Sequence, residues 1–250
     1  GIDMKLTLAE PKYLKEGISI ISDLVNEATM KLTAQGLELV AMDPANVAMV
    51  IYNLLASGFS EYQLEKDEEI AINLANFKQI LRRAKPADQV TLELGEGKLK
   101  IQLNGKTTRT FSIPIIDLED KEQKVPDLSF GATITMMSSS LNDAIEDADI
   151  VAESVSFHAN KKGLTVSAEG DLSHAKIDIK SDDTTQINVH EEGELRAKYS
   201  IEYLKKMMQG GKLADNVAVH FNNDYPLRLD YKTVDRVSLS FILAPRVENY

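Results

Sequence analysis

The sequence predicts an α+β protein of two similar domains, each built of antiparallel sheets with two short helices. Three observations carry this: an internal repeat, many alternating strands closed by turn residues, and helical periodicity confined to four short segments. Gly36-Leu37-Glu38-Leu39 recurs as Gly163-Leu164-Thr165-Val166, and Asp88-Gln89-Val90-Thr91-Leu92 as Asp215-Asn216-Val217-Ala218-Val219, both at an offset of 127. Leu14 and Ile18 match Leu141 and Ile145 at the same offset, while Phe111, Ile113 and Ile115 match Leu239, Phe241 and Leu243 at 128. Chance register between two amphipathic segments does not hold nearly one offset at so many places. Between the copies, Asp117–Asp127 has no apolar period, five acids, two lysines and a Pro, the composition of an exposed connector. The expected domains are residues 1–117 and 128–250, joined by 118–127.

In chain order, Met4–Ala9 alternates as a strand, and Pro11–Val25 places Leu14, Ile18, Ile21 and Val25 on one helical face. Gly1-Ile2-Asp3 reads as an addition ahead of a natural start at Met4. Thr29–Leu39 is a hairpin turning at Gln35-Gly36, and Asp43-Pro44 is a turn before a strand at Val47–Ala56. Short strands follow at Tyr62–Glu65 and Glu69–Ile72. Asn73 caps a second helix whose apolar face is Phe77, Ile80, Leu81 and Ala84, and Pro86 stops it. Gln89–Leu94, Lys98–Leu103 and Thr107–Ile116 complete the half, with Gly95, Gly97 and Asn104-Gly105 at the turns. The second half repeats the order: strand Gly131–Met137, helix Ser140–Ala152, a hairpin turning at Lys162-Gly163, and strand His174–Lys180. Ser200 caps a fourth helix carrying Leu204, Met207 and Met208, before strands at Asn216–Phe221, Pro226–Tyr231 and Val237–Leu243. Each helix has a single apolar face, so it lies on a sheet and shows its other face elsewhere.

Composition excludes several classes of function. Hydrophobic content of 43% and charged content of 27% are those of a globular chain. There is no cysteine, hence no disulfide or thiolate chemistry, and His158, His174, His190 and His220 are scattered. We find no Gly-rich phosphate loop, metal-ligand spacing or nucleophile elbow, and Asp43 and Asp171 are isolated carboxylates. No catalytic residue, metal or cofactor is expected. The absence of a membrane-length apolar run or signal peptide predicts a soluble, intracellular protein, cytoplasmic or on the nucleoid, and nuclear if eukaryotic. The net charge of −11 alone argues against a nucleic-acid partner, but the distribution of charge matters more than its sum.

Lys78, Arg82, Arg83 and Lys85 gather on or just after the second helix, and no acid occurs from Ile70 to Ala87. Lys205, Lys206 and Lys212 stand at the equivalent place in the second half, and Lys12 and Lys15, with Glu16, on the first helix. Any one such patch reads as a solvated helix face. Recurrence in both halves favours salt-sensitive, sequence-independent phosphate contact. The third helix departs, with Asp143, Glu146, Asp147 and Asp149 and no Lys or Arg from Gly131 to Asn160. Two alternating strands, Arg109–Ile115 and Ala175–Lys180, read equally as interior strands or as sheet edges. As edges at opposite ends of the molecule they would join copies head to tail into a ring.

Met42-Asp43-Pro44-Ala45-Asn46-Val47-Ala48-Met49-Val50, Thr108-Arg109-Thr110-Phe111 and Leu243-Ala244-Pro245-Arg246-Val247-Glu248 resemble the proliferating cell nuclear antigen family of DNA sliding clamps, archaeal type, along essentially the whole chain. The resemblance implies a homotrimer ring with helices lining the hole. Such a ring encircles duplex DNA and acts as a processivity factor in replication and repair. It is not an enzyme, and its partners are DNA polymerase, clamp loader, flap endonuclease, DNA ligase and other clients bound through short peptide motifs. Carried over, the DNA-facing residues are Lys15, Lys78, Arg82, Arg83, Lys85, Lys205, Lys206 and Lys212, with DNA favouring the Arg82–Arg83 patch because the third helix is acidic. The client-peptide pocket would be Met42, Val47, Met49, Val125, Pro126, Pro226, Ile242, Ala244 and Pro245. Gln123 stands where the family often has an apolar residue, and Ile242 where an aromatic is common. The subunit interface would use Arg109, Phe111, Ile113, Ile115, Ala175, Ile177 and Ile179. Alternatives are a subunit of a mixed or checkpoint-type ring, and a structural protein binding peptides without DNA.

Overall fold

Alternating apolar side chains on short antiparallel strands build almost everything seen. The structure is a computed structural model that describes residues 3–118, 123–190 and 193–247. The connector residues Glu119, Asp120, Lys121 and Glu122, and the terminal Gly1, Ile2 and Glu248, lie outside the described residues. The chain divides into two units: Gly1–Pro44, Val50–Val125 and Thr233–Leu239 form the first, and Ala45–Met49, Pro126–Lys232 and Ser240–Tyr250 the second.

In the first unit β1 (Met4–Leu8) leads into α1 (Lys12–Ser22). The hairpin β2 (Glu27–Thr33) and β3 (Gly36–Met42) turns at Gly36, whose φ of 141° and close approach to the Leu54 carbonyl admit no side chain. Next come β4 (Ala48–Leu55), a 3₁₀ turn (Ala56–Gly58), β5 (Glu61–Leu64) and β6 (Glu68–Asn73). Then follow α2 (Leu74–Leu81), β7 (Gln89–Gly95), β8 (Lys98–Asn104) and β9 (Thr108–Pro114). The strand orders are β5-β1-β7-β8-β9 and β4-β3-β2-β6. Leu14, Ile18 and Ile21 are buried, as α1 periodicity predicts, but the helix ends at Ser22 and Val25 is buried beyond it. Asn73 Oδ1 accepts from the Asn76 amide at 3.0 Å, the predicted cap. Gly17 lets α1 lie against Tyr52, because a Cβ there would come 2.7 Å from the ring, and the Tyr52 hydroxyl donates to the Tyr13 carbonyl at 2.8 Å.

The second unit repeats the plan. It contains β10 (Ala132–Met137), α3 (Ser138–Asp149), β11 (Ser154–Asn160), β12 (Gly163–Glu169) and β13 (His174–Ile179). It continues through β14 (Gln186–Val189), β15 (Leu195–Ser200), α4 (Ile201–Met207) and a 3₁₀ turn (Met208–Lys212). The last strands are β16 (Asn216–Phe221), β17 (Leu227–Thr233) and β18 (Val237–Leu243). The orders are β14-β10-β16-β17-β18 and β13-β12-β11-β15, the same as in the first unit once each strand is replaced by its repeat. Ser200 Oγ accepts from the Tyr203 amide at 3.4 Å, and Met208 falls in the 3₁₀ turn rather than in α4.

Sequence reading did not anticipate β14 and β15. The first is four residues long, and an Asp182 turn bonded to the Thr184 amide at 2.8 Å precedes it. The second alternates Leu195, Ala197 and Tyr199 with Arg196 and Lys198, a weak pattern amid charge. Among the described residues, no helix is long and apolar enough to cross a membrane.

The face of the β14–β18 sheet that carries Thr133 holds a polar ladder, against whose His220 ring Phe130 lies with centroids 5.3 Å apart. Thr133 Oγ1 meets His220 Nδ1 at 2.9 Å, and His220 Nε2 meets Asp230 Oδ2 at 2.9 Å. Arg228 Nε and Ser240 Oγ donate to Asp230 Oδ1 at 2.9 and 2.6 Å. Burial would raise the Asp230 pKa, but bonds from His220, Ser240 and Arg228, with the Arg228 charge, hold its carboxyl well below the usual range. A depressed folded-state pKa adds stability that is present above the unfolded pKa of about 4 and is lost as pH falls toward the folded one. Asp230→Asn is therefore expected to lower unfolding stability at pH 7 by about 1–3 kcal/mol. Urea titration checks this, and the gap to the parent protein should narrow below about pH 4.

Candidate nucleic-acid and partner interfaces

The predicted cations sit on and after two helix pairs, α1 with α2 in the first unit and α3 with α4 in the second. They are not equivalent. Lys15 Nζ donates to the Ala84 carbonyl at 3.0 Å, closing α1 onto the turn after α2. Lys78 Nζ lies 3.5 Å from Asp23, so part of its charge is neutralised inside the unit. Lys205 Nζ meets Asp149 of α3 at 2.8 Å, and that hydrogen bond and charge raise its pKa. Lys206 sits 5.9 Å from the Tyr203 ring centroid.

Arg82, Arg83, Lys85 and Lys212 are exposed and form no side-chain ion pair among the described residues. Arg82 and Arg83 do not ride the helix face, as periodicity predicts, because α2 ends at Leu81. Their amides close the last turn onto the Lys78 and Ile80 carbonyls, each at 3.0 Å. The turn is braced from β9. Arg109 Nη2 meets the buried Asp88 at 2.7 Å, and Nη1 donates to the Arg83 carbonyl at 3.1 Å. Asp88 also accepts from the Lys85 amide at 2.8 Å. Arg109, expected at a subunit interface, thus holds the cationic turn of its own unit. Asp143, Glu146, Asp147 and Asp149 of α3 are exposed, as expected.

The two strands whose edge or interior position sequence left open are both edges: β9 ends the five-stranded order and β13 the four-stranded one. Ile113 of β9 is 5% exposed and belongs to its unit's core. Phe111, Ile115, Ala175, Ile177 and Ile179 are partly exposed. The remaining edges are shortened or covered. The outer strands β5 and β14 have four residues each. The Ile116 amide bonds the Ala71 carbonyl of β6 at 2.8 Å, and the Arg246 amide bonds the Lys198 carbonyl of β15 at 2.7 Å.

Of the peptide-pocket residues, Val47, Pro226 and Pro245 are partly exposed and Ala244 exposed in the second unit, where the Ala244 amide donates to the Val47 carbonyl at 2.9 Å. Pro126 of that unit is exposed. Met49 and Ile242 are 4% and 7% exposed, core residues of their surroundings. Met42 and Val125 belong to the first unit, where Val125 is 42% exposed. There, Gln123, Lys124 and Val125 border a cleft of ≈ 360 Å³ over β2 and β3, lined also by Thr29, Lys31, Glu38 and Val40. Sequence reading missed these four. They are the alternate positions opposite the buried Met30, Leu32, Leu37 and Leu39, so strand alternation was the available signal.

The model of the proliferating cell nuclear antigen N-terminal domain matches residues 4–122, and that of its C-terminal domain matches residues 124–246. The DNA polymerase sliding clamp of Thermococcus gammatolerans is 39% identical over 238 residues, covering 95% of this chain and 96% of the relative. DNA polymerase sliding clamp 1 of Thermococcus kodakarensis is 38% identical over 238 residues, with 95% and 96% coverage, and the Pyrococcus furiosus sliding clamp is 36% identical with the same coverage. The crystal structure of a proliferating cell nuclear antigen from Thermococcus kodakaraensis superposes with a TM-score of 0.91 at 28% identity, covering 97% of this chain and all of that one. The chain belongs to the proliferating cell nuclear antigen family.

Proposed function

We propose that the chain is a DNA polymerase sliding clamp, a non-enzymatic processivity factor. Three copies close head to tail around duplex DNA and tether polymerase, clamp loader, flap endonuclease, ligase and other clients. The observation that carries the reading is the pair of uncovered edges, β9 and β13. In the repeat, β9 corresponds to β18 and β13 to β4. Strand ends of that counterpart pair are already hydrogen-bonded, Ala244 to Val47 and Leu55 to Arg236, each at 2.9 Å and each within one unit. The same backbone chemistry between two copies would satisfy β9 and β13.

Charge supports the same pairing. The cationic turn of Arg82, Arg83 and Lys85 is braced by β9, while acidic α3 packs against β13. Joining β9 of one copy to β13 of the next sets opposite charges side by side, each exposed pair worth about 0.2–1 kcal/mol and weakened by salt. The acidic third helix, out of place as a DNA contact, fits as half of a subunit junction. Residues 1–117 and 128–250 then act as the ring's repeating arcs and 118–127 as a client-facing connector. The ring would work on the nucleoid in the cytoplasm.

Light scattering of the purified chain should give the mass of a trimer. Lys176→Pro, which removes an amide of β13 that points away from β12, should shift it to monomer without loss of circular-dichroism signal. A parent chain that stays monomeric would instead require a sister chain in a mixed ring. Loaded protein should remain on nicked circular DNA at moderate salt and leave on linearisation, which an ordinary DNA binder would not do. Arg82→Ala with Arg83→Ala should lower DNA-stimulated loading severalfold at concentrations where scattering still reports trimer. Lys78→Ala should do less because Asp23 already holds that ammonium. Equal activity of the double variant and the parent would contradict the assignment of the turn.

A further inference from the structure

We propose that the second unit carries an anion site, built by Arg196 and Arg246, that takes the carboxylates of an acidic peptide segment flanking a client's docking motif. The cleft there measures ≈ 270 Å³, and its lining includes Arg196, Lys198, Asn223, Asp224 and Arg246. Among the described residues its lining sets Arg196, Lys198 and Arg246 against Asp224 alone, while Glu153, Glu169 and Asp171 stand in the adjoining cleft that the same three cations border. The backbone beneath is fixed from three directions. The Arg246 amide donates to the Lys198 carbonyl at 2.7 Å, the Asp224 amide to the Arg196 carbonyl at 3.0 Å, and the Arg196 amide to Asn223 Oδ1 at 2.8 Å. β15, the β16–β17 turn and the segment after β18 therefore present their side chains from one tied frame.

Both arginines keep donors to offer. Arg246 Nη1 donates to Ser154 Oγ at 2.6 Å, one of the five N–H groups of a guanidinium. The exposed Arg196 side chain makes no hydrogen bond or ion pair among the described residues. Its charge is felt nearby: burial lowers the His158 pKa, Arg196 lowers it further, and Glu194 acts against both. Planar guanidinium forks match carboxylates better than lysine ammonium groups do.

Position argues for a peptide as the source of the carboxylates. Arg246 follows Ala244 and Pro245 directly, and Ala244 is bonded to Val47. Both flanking residues belong to the proposed client pocket, so a client leaving that pocket passes the cleft within one residue. The inference rests on the client-binding reading given above.

The test uses the assembled protein and three probes. Tetraglutamate and tetraglutamine peptides are titrated while backbone amide resonances are followed. Tetraglutamate should shift Arg196, Lys198, Arg246 and Val247 saturably at low salt, tetraglutamine should not, and Arg196→Glu with Arg246→Glu should abolish the response. Shifts that spare these residues, or persist in the double variant, overturn the site. Shifts produced by a short DNA duplex but not by tetraglutamate overturn it as well, by making it a phosphate site. A third probe joins four glutamates to an amphipathic segment with aliphatic and aromatic anchors and is compared with its glutamine version. The acidic form should bind about five- to tenfold more tightly, a difference lost in the double variant. If neither joined peptide engages the pocket while tetraglutamate still binds the cleft, the client reading fails and the anion site stands.

Discussion

Every backbone amide and carbonyl needs a partner, and a sheet edge is where that demand goes unmet. The protein meets it with different devices at different edges. At β5 and β14 the strand is cut to four residues. At β6 and β15 a segment just beyond a last strand reaches back, Ile116 to Ala71 and Arg246 to Lys198. These last two bonds are repeats of one solution, since Ala71 and Lys198 are equivalent positions. β9 and β13 have seven and six residues and receive neither device. Two long edges that no described residue covers fit the proposed pairing between copies, and the repeat offers the counterpart surface such a pairing would use.

The same constraint explains how charge is distributed. Arg109 lies on β9, yet its guanidinium turns inward to Asp88 and the Arg83 carbonyl. It thereby fixes the turn that carries Arg82, Arg83 and Lys85 without itself extending the edge. In the second unit α3, bearing four acids, packs beside β13. Helix faces and strand edges are thus coupled. Whatever pairs the edges also brings the turn and the helix together, and their opposite signs set direction and register more than they add affinity.

Much of this was legible in the sequence because period and punctuation are local properties. Leu14, Ile18 and Ile21 name the face of α1, Asn73 and Ser200 name helix starts, and Gly36 and Gly163 begin strands that leave hairpin turns. The repeat was legible because two copies of one plan bury the same positions. What could not be read depends on contacts distant in sequence. Lys78 and Lys15 looked free until Asp23 and the Ala84 carbonyl were found beside them. Nothing in the sequence singled out Asp230, yet it is the centre of a ladder drawn from His220 on β16, Ser240 on β18 and Arg228 on its own strand. Met49 and Ile242, placed in the client pocket by the resemblance, are 4% and 7% exposed, a depth that no motif reveals. β15 was missed because its short alternation of Leu195, Ala197 and Tyr199 with Arg196 and Lys198 sits in a charged stretch, and both cations belong to the edge-covering and cleft features described above.

Few unpaired cations are enough if DNA is enclosed rather than gripped. A protein that held DNA by phosphate contacts alone would need many such cations, and its affinity would fall steeply with salt. Here several candidate lysines are already engaged within their own units, leaving mainly Arg82, Arg83, Lys85 and Lys212 exposed. That shortage would be a defect in an ordinary DNA binder. In a closed ring it is useful, since weak, non-directional contacts give a smooth potential along the duplex and do not arrest sliding. In the proposed ring the burden of retention would pass from side chains to backbone, to hydrogen bonds between β9 of one copy and β13 of the next. An acidic chain could serve a polyanion on these terms because the bonds that keep it there would be made to itself.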